Sequence, residues 1–229
     1  MRYFKIILTV VIYLFFVHEQ AYAGVVTQAT RVIYRSDARE ATLLISNTDK
    51  SEPFLVQSWI DNKGVNGTQT ETSKPPFIVT PPLFRLDAQA DNSLRIVYTG
   101  AALPADRESV FWLNVKAIPR SVPSGNVLQV AIKTRIKLFW RPQGLGDMPP
   151  EPLRFRREAQ SLVVSNISPY YITFQRLDIG GTAVATGSQM VPPRGSARYP
   201  LGVVAGNTVN WQTINDFGGA SVLQHASLQ

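Results

Sequence analysis

Histidine and cysteine carry most general-acid, nucleophilic and metal-binding chemistry, and this chain is nearly devoid of both. Its 229 residues include two histidines and no cysteine. His18 lies in an apolar leading stretch and His225 near the last residues. A serine triad or a histidine metal site therefore has almost nothing to be built from. The absence of cysteine removes a thiolate nucleophile, a thiolate metal site, a disulfide framework and a lipid-modified cysteine. Asp106 and Glu108 form a carboxylate pair, but two positions apart on a strand they make no cleft by themselves. No glycine-rich loop leads from a strand into a helix to cradle phosphate. The expectation is a protein that is no enzyme, with no catalytic residue, no metal and no cofactor.

Binding chemistry is better supplied. The chain carries a net charge of +7, a property shared by proteins that grip phosphate backbones and by those that meet carboxylates. The N-terminus decides between them. Arg2 and Lys5 precede an apolar run, Ile6 to Val17, interrupted only by Thr9, and Ala21-Tyr22-Ala23 follows as a small-x-small cleavage site. Such a run is too short to span a bilayer and reads as a signal peptide over residues 1–23, leaving a mature chain from Gly24 with no membrane insertion. Loss of Arg2, Lys5 and Glu19 takes the charge from +7 to +6. Export to a compartment without nucleic acid excludes that partner and leaves an anionic protein surface or a carboxylate ligand.

The elements that would position such charges are strands. Ala41-Thr-Leu-Leu-Ile-Ser46, Phe54-Leu-Val-Gln-Ser-Trp-Ile60, Ser93-Leu-Arg-Ile-Val-Tyr98 and Ser109-Val-Phe-Trp-Leu-Asn-Val115 are rich in β-branched and aromatic residues. Turn-forming clusters at Asn47-Thr-Asp-Lys50, Asn62-Lys-Gly64 and Pro123-Ser-Gly125 punctuate them. That rhythm predicts an all-β sandwich or barrel. Pro142-Gln-Gly-Leu-Gly-Asp-Met-Pro-Pro-Glu-Pro152 cannot continue a strand or a helix. It is read as a linker, residues 143–152, between an N-terminal domain at 24–142 and a C-terminal one at 153–229. The second half repeats the strand habit at Ser161-Leu-Val-Val-Ser165, Tyr170-Tyr-Ile-Thr-Phe-Gln175 and Thr208-Val-Asn-Trp-Gln-Thr-Ile214.

One segment is unusual. Val127 to Trp140 runs without glycine or proline, far longer than the usual strand of about 5–6 residues, and is expected to close the first domain. Leu128, Val130 and Ile132 alternate with Gln129, Ala131 and Lys133. Periodicity alone leaves two readings of this apolar face: it completes the domain's own core, or it is an exposed edge built for a partner. Lys137 has the opposite parity to that face, and the sequence does not show whether twist or a bulge brings it round.

The strand continues as Lys133-Thr-Arg-Ile-Lys-Leu-Phe-Trp-Arg-Pro142, and here the chain resembles the PapD-like periplasmic chaperones of the chaperone–usher pilus pathway. Asp106-Arg-Glu-Ser109, Asn114, Ile118-Pro119, Asn126-Val-Leu-Gln129, Asn166 with Ser168-Pro-Tyr-Tyr171, and Ile214-Asn-Asp-Phe-Gly-Gly219 fall in the family's order. The likeness extends over essentially the whole mature chain. It implies two immunoglobulin-like β-sandwich domains in an L-shaped (boomerang) arrangement and a periplasmic location. It also implies a chaperone that binds, folds and caps pilus subunits by donor-strand complementation and delivers them to an outer-membrane usher, without ATP. The resemblance makes Leu128, Val130 and Ile132 the donor residues. Arg31 and Lys137 become the pair that holds the subunit's C-terminal carboxylate, and Glu108, Arg141 and Asp216 an interdomain charge cluster. The short Pro119–Asn126 loop resembles the branch that serves rod-like pili. Two matters stay open: whether the free chaperone caps itself as a dimer, and whether Thr80-Pro81-Pro82 contains a cis peptide. The rival reading is a secreted structural or adhesive sandwich, such as a pilus subunit itself.

Overall fold

The computed structural model describes residues 24–71, 73–121 and 128–229. The expected signal peptide, Asn126, Val127 and most of the short loop before them lie outside the described residues. Among the described residues nine strands form the N-terminal part: β1 (Val25–Thr27), β2 (Arg31–Arg35), β3 (Ala41–Asn47), β4 (Phe54–Asp61), β5 (Phe77–Thr80), β6 (Leu83–Leu86), β7 (Asp91–Tyr98), β8 (Ser109–Pro119) and β9 (Ile132–Arg141). Seven follow: β10 (Leu153–Glu158), β11 (Ser161–Asn166), β12 (Phe174–Ile179), β13 (Thr182–Ala183), β14 (Gly195–Pro200), β15 (Thr208–Thr213) and β16 (Gln224–Ser227). Among the described residues no helix is long and apolar enough to cross a membrane.

The strands make two sandwiches. In the first, the sheet β1-β3-β7-β5 faces the sheet β2-β9-β8-β4-β6; in the second, β10-β11-β14 faces β13-β12-β15-β16. Alternation of side chains drives both, as inward positions pack and outward ones stay polar. The first core joins Leu43 and Ile45 of β3 and Leu94 and Ile96 of β7 to Phe111, Leu113 and Val115 of β8 and Ile136, Leu138 and Trp140 of β9. An aromatic chain, Tyr34–Phe77–Phe111, has ring centroids 5.5 and 5.0 Å apart. The second core has its own set, including Phe155 and Trp211 with rings 4.6 Å apart.

Two features set up the site. The first strand changes sheets: β1 pairs antiparallel with β3, and after Gln28–Thr30 the chain enters the other sheet as β2, parallel to β9. Arg31 is thus the first residue of β2, directly beside Lys137. The second feature corrects the expected strand of 127–140. The β8–β9 ladder begins at Ala117↔Ile132 and runs unbroken to Ser109↔Trp140, so β9 starts at Ile132, and Leu128 and Val130 precede it. The register contains no bulge, so Lys137 keeps the parity its number dictates. The Thr80–Pro81 peptide is cis.

Candidate functional site: the cleft and the open edge of β9

Even-numbered residues of β9 point into the core, so odd-numbered ones form the outer face with the even-numbered residues of β8. Beyond the Val110–Phe139–Ile33 row, whose Phe139 ring meets Tyr171 of the C-terminal sandwich, three cross-strand rows follow. The first runs Asp61–Trp112–Lys137–Arg31; next comes Trp59–Asn114–Arg135; then Gln57–Lys116–Lys133.

The first row ends in two cations at the junction of the sandwiches. Arg31 is 9% exposed; its guanidinium donates to the Ile214 carbonyl at 3.2 Å and lies 5.8 Å from the Phe139 ring. Its Nε is buried without a partner. Lys137 Nζ donates to Thr173 Oγ1 at 3.3 Å. Burial, then the neighbouring Arg31 charge, pulls the Lys137 pKa down to about 8, and burial also lowers that of Arg31 despite Asp216 and Glu108. Thr30, Thr173, Trp112, Val65 and Asn66 share with these cations a cleft of about 480 Å³. Two adjacent, desolvated cations with unspent donors fit an anion, and a carboxylate satisfies both the charge and the hydrogen bonds.

The second row is self-contained. Arg135 donates to both Asp61 oxygens at 2.8 and 2.9 Å, to Asn114 Oδ1 at 2.5 Å and to the Gly64 carbonyl at 2.6 Å. Burial raises the Asp61 carboxyl pKa, but Arg135, the Lys63 N–H and Asn114 outweigh it and hold it low. This network ties the loop after β4 over the sheet, where Val65 and Asn66 wall the cleft. The sequence reading missed it: Asp61 and Arg135 are 74 positions apart.

Glu108, Arg141 and Asp216 do come together. Arg141 donates to Glu108 Oε1 at 2.8 Å and to both Asp216 oxygens at 2.6 and 2.8 Å. Glu108 also accepts the Tyr171 N–H at 2.8 Å, and its own N–H reaches the Pro169 carbonyl at 2.9 Å. Burial raises the Glu108 pKa, whereas bonding to Arg141 lowers that of Asp216. Asn166 shapes the turn that presents Tyr171, donating to the Tyr170 and Pro192 carbonyls at 2.7 and 3.0 Å. Arg141 ends β9 while Asp216 follows β15, so one guanidinium joins the two sandwiches beside the cleft.

The apolar alternation behaves differently from a core. Leu128, Val130 and Ile132 are 89, 63 and 59% exposed. β2 pairs with β9 only from Lys137 onward, so among the described residues no strand covers the outer edge of 132–136. An open, apolar-flanked edge thus runs up to the two cations and stops where β2 begins. Among the described residues, no group of three or more His, Cys, Asp or Glu is placed to hold a metal ion.

Comparison with known families accounts for both halves. Residues 24–146 match the pili and flagellar-assembly chaperone, PapD N-terminal domain, and residues 149–225 the pili assembly chaperone PapD, C-terminal domain. The chain belongs to the PapD family of pilus-assembly chaperones. The chaperone is 38% identical to the probable fimbrial chaperone SfmC of Escherichia coli K12, over 98% of this chain and 97% of that one. It is 44% identical to the chaperone protein FimC of the same strain, over 87% and 82% of the two chains. Among solved structures it resembles the E. coli chaperone DraB, with a TM-score of 0.76, 36% identity, and 90% and 97% of the chains covered. It also resembles a chain in the Salmonella enterica structure of the SafA pilin with the SafB chaperone, with a TM-score of 0.79, 33% identity, and 92% and 99% covered. The chaperone is therefore an all-β protein of two immunoglobulin-like sandwiches.

Proposed function

We propose that the chaperone binds pilus subunits by adding the open edge of β9 to them as a strand, with Arg31 and Lys137 holding the subunit's C-terminal carboxylate. The observation that carries this reading is the collinearity of edge and cations. A strand laid on the edge of 132–136 lies in line with β2, and its end meets Arg31 and Lys137. With its carboxylate there and its body extending back toward Leu128, such a strand runs parallel to β9, as β2 does. Main-chain hydrogen bonds supply affinity tolerant of sequence, the strand-addition mode known for pilins. Leu128, Val130 and Ile132 then fill apolar positions of the subunit, each worth about 1.5–3 kcal/mol before ordering costs. Glu108, Arg141 and Asp216 hold the sandwiches at the separation this requires. The subunit is kept off other edges and passed to an outer-membrane usher. Residues 1–23 direct export to the periplasm, where chaperones of this family work, and no catalytic step or ATP is needed.

Val130→Asp tests the edge. Because Val130 is 63% exposed, the free chaperone's stability should change by less than about 0.5 kcal/mol, while affinity for a subunit falls about tenfold or more. A collapse of the free protein's thermal melt would instead assign this side chain to the domain's own core.

The anchor has a pH signature. Lys137 grips a carboxylate only while protonated, so subunit affinity should fall as pH rises through about 8. Lys137→Met should flatten that profile. In the free chaperone the sign reverses. A lysine whose pKa is depressed from 10.5 to about 8 binds fewer protons folded than unfolded between those values. Wild-type stability relative to Lys137→Met therefore rises with pH across that window. Titration calorimetry for binding and thermal melts for stability measure the two slopes separately.

A further inference from the structure

The third row of the outer face contains a contradiction. Lys116 of β8 and Lys133 of β9 are direct cross-strand partners, and their parity places both side chains outward beside Gln57. Like charges directly opposite one another in an antiparallel pair destabilise the sheet. The sheet does nothing to relieve this pair. Among the described residues neither lysine belongs to an ion pair, whereas the exposed Arg85, Arg95 and Arg120 each have a carboxylate. Asp61, the acidic group of the neighbouring rows, is committed to Arg135 at 2.8 and 2.9 Å. Lys133 also sits on the stretch of β9 whose outer edge is uncovered, on the same face as Lys137.

We infer that Lys116 and Lys133 form a second anion site, reading an acidic side chain on the strand that adds to β9. This rests on the carboxylate-anchor reading, which fixes where that strand ends. Arg31 of β2 already pairs with Lys137, so a parallel strand in line with β2 ends opposite Arg135, and the residue two positions earlier lies opposite Lys133 with its side chain on the same face. Lys133 and Lys137 are about 13 Å apart along β9 at about 3.3 Å per residue, too far for one carboxylate to serve both sites. The occupant is therefore an Asp or Glu two positions before the partner's last residue, set beside Lys133 with Lys116 one strand further in, where its charge relieves the repulsion of the two ammonium groups. Main-chain pairing and apolar anchors discriminate little among β-prone strands, whereas a charge at a fixed distance from the terminus selects among them.

The test uses the full mature chaperone and short acetylated peptides of alternating Val and Thr with a free C-terminal carboxylate. They carry Glu or Gln two positions before the last residue, with an amidated version of each. The wild type should bind the Glu peptide about fivefold more tightly than the Gln peptide, and the double variant Lys116→Gln/Lys133→Gln should lose that preference while still rejecting amidated peptides. Equal Glu preference in wild type and variant, or none in either, with amidation still abolishing binding, overturns the second site and leaves the anchor standing. Indifference to amidation overturns the anchor, and this inference with it. The free protein gives an independent reading. Lys133→Gln should raise the thermal midpoint at low ionic strength, by an amount that shrinks with added salt. A lowered midpoint would show that the pair is not held at a cost.

Discussion

Arg31→Ala and Lys137→Ala should each yield a folded chaperone that no longer protects its subunit. The cations lie side by side at the end of the open edge, one 9% exposed and the other with its pKa drawn down to about 8. A carboxylate arriving there would offset their desolvation in the free protein. Hydrogen bonds to a charged group contribute about 1.5–3 kcal/mol each, so either truncation should weaken binding about tenfold to a hundredfold. Lys137→Ala frees only the Thr173 hydroxyl and should melt near the wild type. Arg31→Ala also strips the Ile214 carbonyl of its donor and should melt somewhat earlier. Periplasmic subunit yield, read beside thermal melts of the free variants, separates lost binding from lost folding. Wild-type yield in both would remove the anchor.

Arg141→Met should be the most destabilising single change at the junction. Its partner Glu108 has a side chain only 2% exposed, while that of Asp216 is 46% exposed. Removing the guanidinium returns Asp216 largely to water but strands Glu108, with the Tyr171 N–H as its remaining donor. Breaking a buried pair from one side costs about 3–5 kcal/mol, a drop of roughly 10 °C for a chain of this size. Glu108→Gln added to Arg141→Met should recover much of the loss by removing the stranded charge. The sign with pH follows from the raised Glu108 pKa. A carboxyl more easily protonated when folded favours the folded state at low pH and loses that advantage as pH rises. The single variant should therefore lie closest to the wild type in acid.

Much of this architecture was legible in the sequence, for reasons that differ by element. Strands such as Phe54–Asp61 and Asp91–Tyr98 announce themselves because one face is buried and the other wet. The beginning of β9 was not legible. Alternation continues back through Val130 and Leu128, but a ladder needs a partner, and that with β8 starts only at Ile132. Alternation likewise could not say which face of β9 met the core; that is settled by Phe111, Leu113 and Val115 arriving from β8. The junction of Arg31 with Lys137 depends on a strand that changes sheets, which no local pattern encodes, and only the family resemblance anticipated it. The Asp61–Arg135–Asn114 network was invisible because its members are brought together by cross-strand register rather than by spacing.

The abrupt start of β2 has a further consequence. Because β2 already occupies the edge from Lys137 onward, a chain added to that edge could not slide past the cations to try another alignment. On the proposed mode of binding, the start of β2 would be a hard end-stop, with everything upstream counted from it. A partner longer by one residue at its terminus would still reach the stop and still find every main-chain hydrogen bond. Each of its side chains, however, would face the wrong way, with polar groups turned toward Leu128, Val130 and Ile132. A length error of a single residue thus becomes a mismatch along the whole strand. If clients dock as proposed, the chaperone would measure their last few residues as a ruler does, from a fixed zero.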